Sequence, residues 1–335
     1  MSPAQRADWA SGESSGLHTF VYTPGVERNR LGASDLSVSR LGLGGNNFGM
    51  RLDLAQTRVV VDAALDAGIN HIDSADIYGN RGDSERFLGE VLKGRRDRVV
   101  LATKFGMDMA GANGEDGGAR GSAAYVRRAV EASLERLQMD HIDLYYYHRP
   151  DGVTPLGETL AALNDLVIEG KVRAIACSNL SADQLREAVA YTTSTGSAPV
   201  AALQNQYSLL DRSVEEEILP LCVEHNVAFI PFFPLASGLL TGKYRRGEPP
   251  PVGTRLAARP DALTDAAFEK VNALEEFARA RGRSLLELAI AGLASQPGVA
   301  SVIAGATKPE QIKANAAAAE WQLTTHDLEE LSRIR

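Results

Sequence analysis

Cysteine is nearly absent: Cys177 and Cys222 are the two in 335 residues, and neither belongs to a Cys-x-x-Cys or Cys/His spacing. That excludes a disulfide framework and a cysteine-ligated zinc site, and a reducing, cytoplasmic setting is expected. Long apolar runs are also missing. No window approaches the ~18 residues of a membrane helix, and no apolar core marks Met1–Gly16 as a signal peptide. Positive charge is in deficit, with 35 Lys+Arg against 43 Asp+Glu and a net charge of −8. The footprint of a duplex-binding protein is therefore lacking, so neither nucleic acid nor membrane is expected as a partner. Residues 1–18 are expected to be a disordered lead and 19–335 one domain; oligomeric state is left open by the helix patterns.

What is present is alternation. Short apolar runs predict strands at Ser39–Leu43, Ile69–Asp73, Val99–Lys104, Ile142–Tyr147, Val172–Cys177, Ala201–Gln204, Val227–Phe232 and Val299–Ala304. Between them lie helical patterns, among them Gln56–Ala67, a helix capped by Ser122, Leu156–Glu169, Ala182–Tyr191 and Val214–His225. Eight βα units predict an α/β fold of the (β/α)8 (TIM) barrel type rather than an open sheet. The preceding Thr19–Val38 predicts an N-terminal β-hairpin at the barrel bottom, with Pro24-Gly25 at its turn. Two long connections, Gly106–Gly121 and Leu235–Leu263, leave the C-terminal ends of strands, where barrel active sites lie, and are expected to form a mobile substrate rim.

The polar residues fall at the ends of these apolar runs: Asp73, Lys104, His148, Ser178-Asn179 and Gln204. On a barrel they converge at one mouth. An Asp, a Tyr at 78, a Lys and a His form a proton-transfer set, with no metal-ligand spacing and no nucleophilic Ser or Cys motif. A phenol with pKa near ~10 is a weak acid at neutral pH, and a buried ammonium beside it lowers that value. A carboxylate holds the ammonium in place, and a His orients a carbonyl oxygen. The arrangement suits carbonyl reduction, with Tyr78 giving the proton.

Several motifs carry a resemblance to the aldo-keto reductases over about residues 30–320. They are Leu41-Gly-Leu-Gly-Gly45, Asp73-Ser-Ala-Asp-Ile-Tyr78-Gly, Thr103-Lys104, and Ile142-Asp143-Leu144 through His148. The resemblance implies a catalytic tetrad of Asp73, Tyr78, Lys104 and His148. It implies cofactor contacts at Gly45 and Asn46, at Ser178, Asn179 and Gln204 around the nicotinamide carboxamide, and at Phe232, which stacks on the ring. Pro234 and Leu235 continue the Phe232 segment as cofactor contacts, and Ser237–Tyr244, with Ser237, Leu239 and Lys243, resembles the loop over the pyrophosphate. Gly305, Thr307, Lys308, Gln311 and Asn315 resemble the adenosine stretch. Gln311 stands where strongly NADPH-preferring members place Arg, but the branch with the potassium-channel β subunits shares Gln there, with an Arg after Gly-Lys-Tyr that Arg255 matches. NADP(H) is thus the expected cofactor and NAD(H) the second choice, with Arg255 and Lys308 as candidates for the 2′-phosphate. Phe48, Phe105 and Arg149, with Met50, are expected to line the substrate space.

Each residue alone has a plainer reading: Asp73 as a turn cap, Tyr78 as packing, Lys104 as a surface cation, His148 as a core histidine. Their joint spacing favours chemistry. His71 reads as a packed residue on the same strand as Asp73, and Cys177 as a buried thiol. The expected activity is NADPH-dependent reduction of an aldehyde or ketone. One rival is a slow-turnover nicotinamide-sensing regulatory subunit, and another is a Schiff-base barrel acting through a neutral Lys104.

Overall fold

A parallel sheet covered on both faces needs strands that are apolar throughout, and the runs of this chain are. The computed structural model describes residues 26–258, 261 and 263–334. Its strands are β1 (Arg28–Arg30), β2 (Ser37–Ser39), β3 (Leu41–Gly44), β4 (His71–Asp73), β5 (Val100–Phe105), β6 (Ile142–Tyr147), β7 (Val172–Ser178), β8 (Val200–Gln206), β9 (Ala228–Phe232) and β10 (Val302–Gly305). Strands β3 to β10 form one parallel sheet in the order β10-β3-β4-β5-β6-β7-β8-β9. The two ends of that order meet just before β10: Phe229 N donates to Gly298 O (2.8 Å) and Ala300 N to Phe229 O (3.0 Å). The chain forms the expected (β/α)8 barrel.

The helices are α1 (Leu54–Asp66), α2 (Tyr78–Val91), α3 (Ala123–Leu137), α4 (Leu156–Ile168), α5 (Ala182–Thr195), α6 (Ile218–Glu224), α7 (Asp265–Arg279), α8 (Leu285–Ala294), α9 (Pro309–Glu320) and α10 (Thr325–Ser332). Both α7 and α8 precede β10, which accounts for the wide spacing before the last strand. Helix α6 starts four residues later than its pattern predicts. Pro220 fits a helix only in its first turn, and Ser213–Glu215 forms a short 3-10 turn instead. Within α2 the residues Gly79, Asn80, Arg81 and Gly82 all have positive φ, so regular helix begins only after them.

Side chains alternate across a strand, and the inner faces of β5 to β9 supply small or apolar residues such as Ala102, Leu144, Tyr146, Ala176, Ala202 and Ile230. Leu31, Leu36 and Val38 of the hairpin fill the remaining space. The hairpin turns at 31–36 rather than at Pro24-Gly25, which lie outside the described residues, as does the expected lead 1–18. Gly32 explains the place of the turn. Its φ is +52°, and a Cβ there would lie 2.3 Å from Ala201 O and 2.8 Å from Asn226 O, so only glycine lets the turn seat against the barrel bottom. Among the described residues no helix is long and apolar enough to cross a membrane.

Candidate active site

The inward alternation that fills the barrel with alanine ends, at the C-terminal rim, in charge. Asp73 closes β4, Lys104 stands one residue before the end of β5, and the two side chains meet. Lys104 Nζ donates to Asp73 Oδ2 (2.6 Å) and to Ser74 O (2.7 Å), and both side chains are almost fully buried. Gln204 Nε2 of β8 donates to the other carboxylate oxygen, Asp73 Oδ1, at 2.9 Å. Burial works against the Lys104 charge, but Asp73 and Tyr78 together outweigh it and hold the ammonium above its ordinary value. A charged Lys104 is unsuited to Schiff-base chemistry.

Tyr78 lies next to this pair, with Lys104 Nζ 5.2 Å from its ring centroid. The His148 ring stands edge-on to it, the centroids 6.0 Å apart and the planes at 85°. Burial pushes the Tyr78 phenol above its ordinary value, and Lys104 only partly offsets this. This sign is opposite to the lowering expected of a phenol beside a buried ammonium, because desolvation of the phenolate wins over one ammonium. Burial, with Lys104 and Arg149 nearby, pulls His148 well below its ordinary value, so the ring is neutral at pH 7. Its Nδ1 is buried without a partner. Asn179, at φ +58°, donates from Nδ2 to His148 O (3.0 Å) and to Ser178 Oγ (3.0 Å), while Ser178 Oγ donates to Gln204 O (2.7 Å).

A cavity of about 880 Å³ opens above these groups. Asp73, Tyr78 and His148 reach it beside Ser178, Asn179 and Gln204. Its wall then runs through Phe232, Pro234, Leu235 and Ser237 to Lys243, Thr241 and Arg255. Gly305, Thr307, Lys308, Gln311 and Asn315 also line it, where the N-terminus of α9 borders the space and favours an anion. Asn46 also lines it, with Oδ1 buried and unpartnered.

Not every expected residue reaches the cavity. Gly45 does not line it, since a Cβ there would point at Ser84 Oγ (2.9 Å), away from the space that Gly44 and Asn46 face. Leu239 is buried in the core beneath the 236–241 turn. Phe48 and Phe105 are fully buried rather than substrate-facing; Phe105 stacks between Tyr145 (4.9 Å) and Tyr147 (5.3 Å) on the outer face of β5. Met50 is 71% exposed and outside the cavity, whereas Arg149 lines it. Asn47, Arg51, Ile77 and Met107 line the cavity as well, outside the motifs that mark the other residues. Asn47 follows directly on Asn46 in the first βα loop, a position that points to it. Its Nδ2 donates to Ala306 O (3.2 Å) and its Oδ1 accepts from Arg255 Nη2 (3.3 Å).

The aldo/keto reductase family model matches residues 40–335. The chain belongs to the aldo/keto reductase family. This aldo/keto reductase is 37% identical over 302 residues to a probable voltage-gated potassium channel subunit beta of Oryza sativa subsp. japonica, covering 87% of this chain and 90% of that one. It is 36% identical to an NADH-specific methylglyoxal reductase of Escherichia coli, over 89% of this chain and 94% of the relative. It is 32% identical to the aldo-keto reductase YhdN of Bacillus subtilis, over 95% and 93%. Membership supports an NAD(P)-dependent oxidoreductase activity.

The residues present fit a dinucleotide. Gly44 and Gly305 leave the backbone open at the mouth, where a Cβ on Gly44 would meet Ile303 Cγ2 at 3.1 Å and one on Gly305 would meet Asn46 Oδ1 at 3.3 Å. The orphaned Asn46 Oδ1, the aromatic ring of Phe232 and the cations Lys243, Arg255 and Lys308 all line the same cavity and would suit an acceptor, a stacking and a phosphate contact.

Proposed function

We propose that the protein is an NADPH-dependent carbonyl reductase in which Tyr78 is the general acid. The carrying observation is the buried ion pair Asp73–Lys104 beside Tyr78 and His148 at a cavity that the cations Lys243, Arg255 and Lys308 also line. Nicotinamide, when bound, supplies the hydride. The chain's own residues do the rest. Ser178, Asn179 and Gln204 present amide and hydroxyl groups for a carboxamide, and Phe232 offers a ring face. A neutral His148 can donate one hydrogen bond to a carbonyl oxygen, and the neutral phenol of Tyr78 carries the proton that this oxygen takes up. Lys104 stabilises the phenolate left behind, and Asp73 keeps Lys104 charged and fixed. Arg255 and Lys308 would take a 2′-phosphate, which favours NADP(H) over NAD(H).

Removing the phenol tests this. Tyr78→Phe should lower the single-turnover rate of bound-NADPH oxidation by an aldehyde by about 10²–10⁴-fold, the usual contribution of a general acid. The NADPH dissociation constant should stay within twofold. An unchanged rate removes Tyr78 from the reaction. The relative named as a potassium channel subunit favours a second reading, a nicotinamide-sensing subunit with slow turnover. A single-turnover rate far above the steady-state rate for every carbonyl tried would select it.

A further inference from the structure

Tyr78 has an unusual backbone setting for a group that must be held in place. The four residues after it, Gly79 to Gly82, all have positive φ (65°, 54°, 62° and 126°), so no helical turn grips it from the C-terminal side. What holds this stretch is a buried polar cluster on the outer side of β5 that the proposed chemistry does not use. Its centre is Asn113, a residue of the glycine-rich 106–121 connection that is 4% exposed.

Asn113 Nδ2 donates to Asp76 Oδ2 (3.0 Å), two residues before Tyr78. Its Oδ1 accepts from Arg136 Nη1 of α3 (3.0 Å). Arg136 Nε in turn donates to Glu85 Oε2 of α2 (2.6 Å), and Glu85 Oε1 accepts from Thr103 Oγ1 of β5 (2.6 Å). The same Arg136 side chain lies against Gly82, four residues after Tyr78, so closely that a Cβ there would be 2.5 Å from its Cδ. Asp76 is also tied to the lysine strand, its N–H donating to Lys104 O (2.9 Å). Two carboxylates and one guanidinium are thus buried together. Burial and the Glu85 charge push the Asp76 carboxyl well above its ordinary value, with Arg136 opposing them, and the hydrogen bond from Asn113 needs from it only an acceptor oxygen.

We infer that Asn113 is a positioning residue: through Asp76 on one side and Arg136 on the other it clamps the segment 76–82, so that the glycine-rich connection sets where the Tyr78 hydroxyl stands. The same clamp places Ile77 and Met107, which both line the cavity, so loop seating and substrate space are joined. The connection is tied at its far end too, where Gly121 N donates to Asp151 Oδ2 (2.7 Å). It is a fastened wall, not the free rim that its six glycines suggest.

The test reads Tyr78 directly. Full-length protein carrying 3-fluorotyrosine gives one 19F resonance for Tyr78, identified by its absence in Tyr78→Phe. Asn113→Ser and Asp76→Leu should each shift or broaden that resonance, whereas Asp76→Asn, which keeps the acceptor oxygen for Asn113, should leave it at the wild-type position. In single turnover Asn113→Ser and Asp76→Leu should each lose tenfold or more in rate with the NADPH dissociation constant within twofold, and the double variant should be no slower than the worse single. A wild-type Tyr78 resonance in a folded Asn113→Ser protein overturns the clamp, as does a loss in the double variant equal to the product of the singles. If Asp76→Leu does not fold, Asn113→Ser against Asp76→Asn still decides. This inference rests on Tyr78 as proton donor only for the rate arm: no carbonyl turnover in wild type would sink that reading while the 19F outcome still judges the clamp.

Discussion

His71 sits on the inner face of β4, two residues below Asp73, and its burial makes a measurable prediction about acid stability. The ring is fully buried, its Nδ1 lies 2.9 Å from Ser301 Oγ, and its Nε2 has no partner. Desolvation, with Lys104 adding to it and only partly opposed by Asp73, lowers its pKa from 6.5 to about 4. Folded chains therefore keep the ring neutral where unfolded chains have already taken up a proton. Stability from this group is intact above pH 6.5 and is lost as pH falls toward 4. At ~1.36 kcal/mol per pH unit, the full gap of roughly 2.5 units corresponds to about 3.4 kcal/mol, of which about 2 kcal/mol is already lost at pH 5. His148 titrates in the same direction, so the wild-type curve alone does not isolate His71. Urea unfolding of wild type and His71→Gln at pH 7, 6, 5 and 4.5 does. The wild type should lose about 2 kcal/mol more than the variant between pH 7 and pH 5. Parallel stability curves would show that His71 carries its proton in the folded protein and would refute the desolvation argument.

Two further outcomes are expected. Gly32→Ala places a Cβ 2.3 Å from Ala201 O in a left-handed backbone, so it should lower the unfolding free energy by at least ~2 kcal/mol in a urea titration; a wild-type midpoint would mean that the hairpin shifts freely on the barrel bottom. Arg255→Ala with Lys308→Ala should weaken NADPH binding by tenfold or more while leaving NADH within twofold, read by nicotinamide fluorescence. Equal weakening of both would remove these residues from the 2′-phosphate.

The barrel was legible because its strands are covered on both faces and so stand out as unbroken apolar runs, each closed by a polar residue at the rim. Asp73, Lys104, His148 and Gln204 all fell at such ends, and the fold alone brings Asp73, His148 and Gln204 to one cavity with Lys104 buried against Asp73. Phe48 and Phe105 misled for the converse reason. They neighbour site residues in sequence, but alternation turns Phe105 outward from the strand that aims Lys104 inward. The turn at 31–36 was not marked in the sequence because Gly32 is required by a contact with Ala201, far along the chain. Nothing local marks the Asn113 cluster either. Asp76, Glu85, Asn113 and Arg136 come from four separate stretches, and as isolated polar residues they read as surface.

The hairpin at the barrel bottom also constrains the order in which the molecule can be made. Leu31 and Leu36 leave the ribosome among the first residues described, yet their partners include Ala201, Ala228 and Ile303. Strand β3 likewise waits for β10 to become its neighbour. An N-terminal third of this chain has no finished structure to reach, so its apolar strands stay without their final partners until synthesis is nearly complete. A stalled chain ending before β10 has an open seam between β9 and β3, with the edge of β3 unpaired.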